Sequence, residues 1–106
     1  MLIEIKEEVS DMEYIENSSI SLNFIKKEPM SGSYKGMRYL LRKSGDDIEV
    51  CIWPEPYNFL KTAEELKQYN RFPLTAEGKD EAVAWLNKQV EDQHELWEKA
   101  LSVSWV

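Results

Sequence analysis

The chain has almost none of the residues from which metal, disulfide and nucleophile sites are built. It contains one cysteine and one histidine among 106 residues, which excludes an intramolecular disulfide and a cysteine-based zinc site. Its four glycines are scattered, so there is no glycine-rich phosphate loop, and no serine lies in a nucleophile-elbow motif. We therefore expect a non-catalytic protein with no metal and no cofactor.

Long apolar runs and an excess of positive charge are missing as well. No run approaches the roughly 20 apolar residues that span a bilayer, and the acidic N-terminus lacks the features of a secretory signal. From these two absences we expect a cytoplasmic protein with no membrane partner. The 20 acidic residues outnumber the 13 Lys and Arg and give a net charge of -7, which would repel a phosphate backbone and argues against direct nucleic-acid binding.

The residues that are present fit one folded domain. With 42% hydrophobic residues, a chain of this length buries enough surface to fold without metals or disulfides. We predict a single domain over residues 1–106, in which an acidic segment, residues 1–35, contributes one or two strands, and residues 36–106 form a hairpin and helices. The predicted fold class is α+β, a small antiparallel sheet of three or four strands packed against one long C-terminal helix, plus a short helix.

The clearest strand pattern is a β-hairpin in the middle of the chain. MRYLLRK and DIEVCIW are separated by Ser44, Gly45 and Asp46, a spacing and composition typical of a short hairpin loop. ISLNFIK alternates apolar and polar residues and is predicted as a third strand. LIEIKEEV also alternates, although the run EEVSDMEYIE fits a short helix equally well. PMSGSYKG is interpreted as a linker or a loop.

The period of two divides the hairpin into an apolar face and a mixed face. Met37, Tyr39 and Leu41 share the apolar face of the first strand. The mixed face places Arg38 and Arg42 near Glu49, which we interpret as cross-strand charge pairing on a solvated surface.

Two helix starts follow the hairpin. Thr62 and Glu65 have the spacing of a capping box and predict a short helix over Ala63–Tyr69. Thr75 is the second candidate N-cap and begins the long helix. Apolar residues at three- and four-residue steps then predict the stripe that covers the sheet: Val83, Leu86, Val90, Trp97 and Leu101.

The polar face of the long helix is acidic and is the predicted partner-binding surface. Its carboxylates are Glu77, Asp80, Glu81, Glu91, Asp92, Glu95 and Glu98. Carboxylates spaced along a helix can imitate the phosphates of a nucleic acid, so we expect them to contact a protein partner with a basic surface. The alternative is that this face is merely solvated.

A second candidate contact surface is the proline-rich stretch VCIWPEPYNF. Its two prolines end the strand and direct the chain toward the next element. We expect Tyr57 and Phe59 to fold back under the corner. The candidate contacts are Glu55 and whichever of Trp53 and Tyr57 is exposed. An interaction module that uses the aromatic corner is therefore the second functional hypothesis.

Cys51 and His94 support a third hypothesis, a small enzyme. Cys51 lies in the middle of a predicted strand, where cysteine is commonly a buried apolar residue, and it would become a nucleophile only with His94 brought near it. His94 interrupts the apolar stripe beside Glu91 and Glu95, where carboxylates raise a histidine's affinity for a proton.

Three segments carry a resemblance to known proteins. GMRYLLRK, VCIWPEPYNFLKTAEELK and FPLTAEGKDEAVAWLNKQ, within about residues 36–90, resemble a group of uncharacterised small proteins from Firmicutes and their phages and mobile elements. The resemblance implies a context rather than an activity. Within that context, compact acidic proteins encoded by mobile elements are often inhibitors of host defence, anti-CRISPR proteins among them. We therefore predict a protein that binds and inhibits a basic nucleic-acid-handling protein, such as a CRISPR effector, by charge mimicry.

Overall fold

The chain folds around a four-stranded antiparallel sheet in which neighbours in sequence are neighbours in space. A computed structural model describes residues 13–103, except for the side chain of Val103. The sheet order is β1-β2-β3-β4, and the strands are β1 (Met30–Tyr34), β2 (Met37–Ser44), β3 (Asp47–Pro54) and β4 (Gln68–Pro73). The helices are α1 (Leu22–Lys27), α2 (Ala76–Asp92) and α3 (His94–Val103), with 3-10 turns at Asn17–Ser19 and Glu64–Leu66. The predicted α+β class is confirmed.

The predicted hairpin is confirmed as β2 and β3. Arg42 lies opposite Glu49 in the register, and Gly45 has a positive φ of 62° in the connecting turn. Leu41 and Val50, on the apolar face of β2 and β3, are fully buried, as the alternation predicts. The interpretation of the opposite face as solvated is wrong for Trp53, which is buried, whereas Cys51 is buried as expected for a cysteine in the middle of a strand.

The segment interpreted as a linker or a loop is instead β1. Its register places Ser31 opposite Leu40 and Ser33 opposite Arg38. Lys35 and Gly36, with φ values of 42° and 98°, form the turn to β2, and positive φ at both central residues is the geometry that matches the twist of a hairpin. An edge strand gains its stability from backbone pairing, so short side chains are tolerated in it.

The third predicted strand, ISLNFIK, is wrong because its main part is the helix α1. The Ser21 side chain accepts a hydrogen bond from the backbone N–H of Phe24 at 3.1 Å and so caps this helix. Ile20 and Ile25 are buried and Phe24 is exposed, whereas the alternation of a strand would place Ile20 and Phe24 on the same face. The other predicted strand, LIEIKEEV, lies outside the described residues.

The short helix predicted over Ala63–Tyr69 is also wrong. A single 3-10 turn occupies Glu64–Leu66, and the chain then enters β4, which pairs with β3. The Thr62 hydroxyl does not cap a helix but donates to the backbone carbonyl of Asn58 at 2.7 Å. A helix of two turns is marginal by itself, whereas β4 completes the hydrogen bonding of β3.

The predicted long helix begins at the predicted residue but divides into two helices. The Thr75 side chain accepts from the backbone N–H of Gly78 at 3.0 Å and caps α2. This helix ends at Asp92, and Gln93 separates it from α3. Trp97 Nε1 donates to the carbonyl of Gln89 at 2.9 Å across the break, so the change of direction brings the indole into the core.

The helices cover one face of the sheet and enclose the core with it. A tight approach joins the two layers, because a Cβ added to Gly78 would lie 1.8 Å from the carbonyl oxygen of Pro73. The core residues come from the N-terminal segment, α1, β2, β3 and both C-terminal helices: Ile15, Ile20, Ile25, Met37, Tyr39, Leu41, Ile48, Val50, Ile52, Ala82, Val83, Leu86, Val90 and Trp97.

Candidate functional site

Five of the predicted partner-binding carboxylates share the outer face of α2. Steps of three and four residues place them on the same side of a helix, and this side points away from the sheet. Glu77, Asp80, Glu81 and Asp92 are exposed and Glu91 is half-buried. From Glu77 to Asp92 the face extends about 22 Å at 1.5 Å per residue.

The negative charge of this face is partly balanced by neighbouring groups. Lys88 Nζ lies 3.2 Å from a carboxylate oxygen of Asp92, and the Asn17 side-chain amide donates to Asp80 at 3.0 Å. Among the described residues, none donates a hydrogen bond to the side chain of Glu77 or Glu81. These two carboxylates therefore contribute the accessible charge at the beginning of α2.

The remaining predicted carboxylates, Glu95 and Glu98, lie on α3 beyond the break and are both exposed. His94 is the first residue of α3 and is exposed, with Nδ1 3.3 Å from the Glu91 carbonyl oxygen. It does not join the apolar stripe. We call the seven carboxylates on α2 and α3 the acidic face.

The acidic face continues into a cleft that the sequence did not predict. The cleft has a volume of about 340 Å³, and we call it the tyrosine cleft. It is lined by Tyr14, Tyr34, Lys35, Val90, Glu91, His94, Trp97 and Glu98. Aromatic rings and two carboxylates thus meet in one concave site.

Hydrogen bonds and ring contacts fix the geometry of the tyrosine cleft. The Tyr14 hydroxyl donates to Glu91 Oε2 at 3.0 Å, and this bond to the carboxylate raises the pKa of Tyr14. The rings of Tyr14 and Tyr34 have centroids 5.6 Å apart. Lys35 Nζ lies 5.7 Å from the centroid of the Tyr34 ring, within the range of a cation–π contact.

The two sides of the tyrosine cleft are held by close backbone contacts. The Asn87 side chain accepts from the backbone N–H of Ile15 at 2.7 Å and donates to its carbonyl at 3.1 Å, which fixes the segment that carries Tyr14. On the other side, a Cβ added to Gly36 would lie 2.1 Å from the carbonyl oxygen of Trp97. Only a glycine allows the β1–β2 turn to approach α3 so closely.

The aromatic corner divides into buried and exposed residues. Trp53 is 3% exposed, and its Nε1 donates to the carbonyl of Tyr57 at 2.7 Å. The Phe59 ring packs edge-on against Trp53 with centroids 5.6 Å apart, whereas the Tyr57 side chain is 59% exposed and Glu55 is half-buried. Of the predicted corner contacts, Tyr57 is therefore the accessible aromatic residue, and the prediction that it folds back under the corner is wrong.

The structure does not bring Cys51 and His94 together. Cys51 is buried on the sheet face opposite the helices, and His94 begins α3 on the other side. Burial raises the pKa of the Cys51 thiol to about 11, which favours the unreactive thiol over the nucleophilic thiolate. The arrangement gives no support to the enzyme hypothesis.

The charge pairing predicted on this sheet face is confirmed for one arginine. Arg42 Nε donates to Glu49 Oε1 at 2.7 Å. The second guanidinium near Glu49 belongs to Arg71 of β4, at 3.7 Å, and not to Arg38, which lies opposite Trp53 in the register. The interpretation was wrong for Arg38 because the register places it four residues along β2 from Arg42, the residue opposite Glu49.

The described residues contain neither a metal-binding cluster nor a membrane-spanning helix. Within residues 13–103, no group of three or more His, Cys, Asp and Glu side chains is placed to hold a metal ion. In the same part of the chain, no helix has the length and apolar character needed to cross a membrane. Comparisons with protein-family models, curated proteins and solved structures found no match.

Proposed function

We propose that this protein is a non-catalytic inhibitor that binds a basic nucleic-acid-handling protein through the acidic face. The observation that carries the proposal is the continuity of the acidic face with the tyrosine cleft, where Glu91 belongs to both. A row of carboxylates alone attracts any basic surface. A row of carboxylates that ends in an aromatic cleft also offers a specific binding site for one cationic side chain.

The tyrosine cleft matches the chemistry of a lysine or arginine side chain. Tyr14 and Tyr34 offer ring faces, and Glu91 and Glu98 offer carboxylates. Lys35 of the chain itself already places its ammonium over the Tyr34 ring, which illustrates the attraction of the cleft for a cation. Lys35 is exposed and lies in a turn, so a partner's side chain can displace its ammonium.

The net charge of -7 supports the same proposal through the rate of association. Complementary charge steers a basic partner toward the acidic face, and salt weakens this steering. A groove that binds phosphates would accept the carboxylates in their place, so the protein and a nucleic acid should compete. A CRISPR effector is the partner class suggested by the resemblance of residues 36–90 to proteins of phages and mobile elements.

The test compares two sets of charge-neutralising variants with equal change in net charge. The first set replaces Glu77, Glu81, Glu95 and Glu98 of the acidic face with glutamine. The control set replaces four exposed acids that do not belong to the acidic face: Glu16→Gln, Glu28→Gln, Asp46→Asn and Glu65→Gln. The unmodified protein and the two multiply substituted proteins are each added to a panel of purified CRISPR effectors. Target cleavage by the effector and its binding of labelled nucleic acid are then measured.

The proposal predicts that the unmodified protein inhibits an effector in competition with nucleic acid. The first set should weaken inhibition at least about fourfold, since four exposed ion pairs contribute about 0.2–1 kcal/mol each, while the control set should retain it. Equal loss in both sets would show that net charge alone acts. Failure to inhibit any effector of the panel would contradict the proposed partner class.

The second candidate function, an interaction module using the aromatic corner, is favoured by two exposed side chains. Tyr57 and Leu60 are 59% and 87% exposed, next to the buried Trp53. Tyr57→Ala should then remove binding of a protein partner, and the glutamine substitutions of the acidic face should leave that binding unchanged.

A further inference from the structure

A groove lies on the sheet face opposite the helices, beside the aromatic corner. It has a volume of about 350 Å³, and we call it the Arg38 groove. Its floor is formed by Ser31, Ser33, Arg38 and Leu40 of β1 and β2, and the loop that follows β3 supplies its wall through Asn58, Phe59 and Leu60.

The amino-acid sequence explains why this part of the sheet face is open. Ser31 and Ser33 lie opposite Leu40 and Arg38 in the register, so they share the face of the groove. Their short side chains leave space above the floor. The loop after β3 covers the neighbouring strand instead, where Phe59 packs on the ring of Trp53.

Arg38 differs from the other two arginines of the chain. Arg42 and Arg71 both lie within ion-pair distance of Glu49, whereas no ion pair or hydrogen bond joins Arg38 to any other described side chain. Its Nε is buried and has no hydrogen-bond acceptor. A buried donor without an acceptor is unfavourable, because it has lost its water without gaining a partner.

We propose that the Arg38 groove binds a peptide segment that has one carboxylate next to an apolar side chain. The carboxylate would accept from the guanidinium of Arg38, which presents several donors in one plane and suits a carboxylate in two-point contact. The apolar side chain would contact Leu40, Phe59 and Leu60. Leu60 is 87% exposed, and such a contact would bury it.

Charge complementarity selects this occupant. The described lining of the groove contains one cationic residue and no carboxylate, although acidic residues exceed basic ones by seven in the whole chain. A cationic segment would meet like charge at Arg38, and a purely apolar segment would leave the buried Nε without an acceptor. The site is independent of the proposed inhibition, since the acidic face lies on the helices on the other side of the sheet.

The experiment titrates the full chain with two matched probes, the acetylated and amidated tripeptides Leu-Asp-Phe and Leu-Asn-Phe. Amide and arginine side-chain NMR signals report where each probe binds. Signals of Ser33, Asn58 and Leu60 and the Nε–H of Arg38 should shift. The aspartate probe should bind about tenfold more tightly than the asparagine probe, because its carboxylate carries the charge opposite to the guanidinium and can accept from it through two oxygens, whereas the amide is neutral and has one acceptor oxygen.

Substitutions in the floor of the Arg38 groove distinguish the contribution of the guanidinium charge to probe binding from the contribution of the cavity. Arg38→Gln should remove the preference for the aspartate probe, and Ser33→Leu should fill the groove and weaken both probes while the guanidinium remains. Lys43→Gln is the control, because it removes an exposed cation of the same strand outside the groove. Thermal unfolding and near-ultraviolet circular dichroism of each variant show whether the sheet is intact.

Four outcomes would overturn the inference. The first is equal affinity for the two probes, and the second is that neither probe shifts the groove signals at millimolar concentration. The third is a protein that self-associates and becomes monomeric in Ser33→Leu, which would assign the groove to a second copy of the chain. If Arg38→Gln and Lys43→Gln affect binding equally, the guanidinium is not the recognising group.

Discussion

Asn87 offers the sharpest test of how the tyrosine cleft is held together. Its side-chain oxygen accepts from the backbone N–H of Ile15, and its nitrogen donates to the carbonyls of Ile15 and Val83, each at 3.1 Å. Asn87→Ala removes all three hydrogen bonds. It leaves both backbone groups of Ile15, a residue that is 4% exposed, without these partners.

The expected loss is about 2–3 kcal/mol in the free energy of unfolding. Each net hydrogen bond contributes about 0.5–1.5 kcal/mol, and a buried group left unpaired costs about 1–3 kcal/mol. Because the segment that carries Tyr14 is released, the Tyr14–Glu91 hydrogen bond should weaken and the pKa of Tyr14 should fall toward its ordinary value. Urea unfolding followed by circular dichroism measures the first effect, and a spectrophotometric or NMR titration of tyrosine measures the second.

Two comparison variants complete the test. Asn23→Ala replaces an exposed asparagine of α1 and should change the free energy of unfolding by less than about 0.5 kcal/mol. Asn87→Asp keeps the acceptor for the N–H of Ile15 but places a carboxylate next to two carbonyl oxygens. Its loss in free energy of unfolding relative to the unsubstituted protein should therefore become smaller at low pH, where the new carboxyl is protonated. A loss below about 0.5 kcal/mol in Asn87→Ala, with the pKa of Tyr14 unchanged, would refute the reasoning.

Two further predictions concern pH on the sheet face opposite the helices. The Cys51 thiol, with a folded-state pKa of about 11 against an ordinary value of 9.0, keeps its proton in the folded state where the unfolded chain loses it. Between about pH 8 and pH 10 the free energy of unfolding of the unsubstituted protein should thus fall about 1 kcal/mol more than that of Cys51→Ala. The same pH dependence of the free energy of unfolding in both proteins would contradict this. The Tyr69 hydroxyl donates to Glu64 at 2.6 Å and lowers the pKa of that carboxyl, a stabilisation present above the unfolded-state pKa and lost in acid. Tyr69→Phe should raise the pKa of Glu64 in a carboxyl-carbon NMR titration, and an unchanged pKa would show that Lys67 and Arg42 cause the shift without Tyr69.

The parts of the fold that the sequence predicted are those with a local physical cause. The β2–β3 hairpin follows from a period of two on each side of a turn that contains Gly45. The start of α2 follows from the Thr75 cap and the apolar stripe behind it. The acidic face follows from the same helical period, because residues three and four positions apart lie on one side.

Other parts followed from contacts between distant segments. Residues 68–73 form β4 because they pair with β3, although a capping-box spacing just before them predicts a helix. β1 pairs with β2 despite the short side chains of a loop-like sequence. In both places backbone pairing across the sheet outweighs a weak local preference.

The candidate sites divide in the same way. The acidic face was predicted as a surface by its sequence, whereas the tyrosine cleft joins Tyr14, Tyr34 and Glu91 from three separate segments, and no local pattern relates them. Arg38 was predicted as half of an ion pair with Glu49, but strand pairing places it between Trp53 of β3 and Ser33 of β1, neither of which is a carboxylate. The charge, the hairpin and the capped helix can be predicted from the sequence because they depend on neighbours along the chain. Which side chains meet in a cleft depends on strand pairing and on the break between α2 and α3 at Gln93, so it emerges only when distant segments pack together.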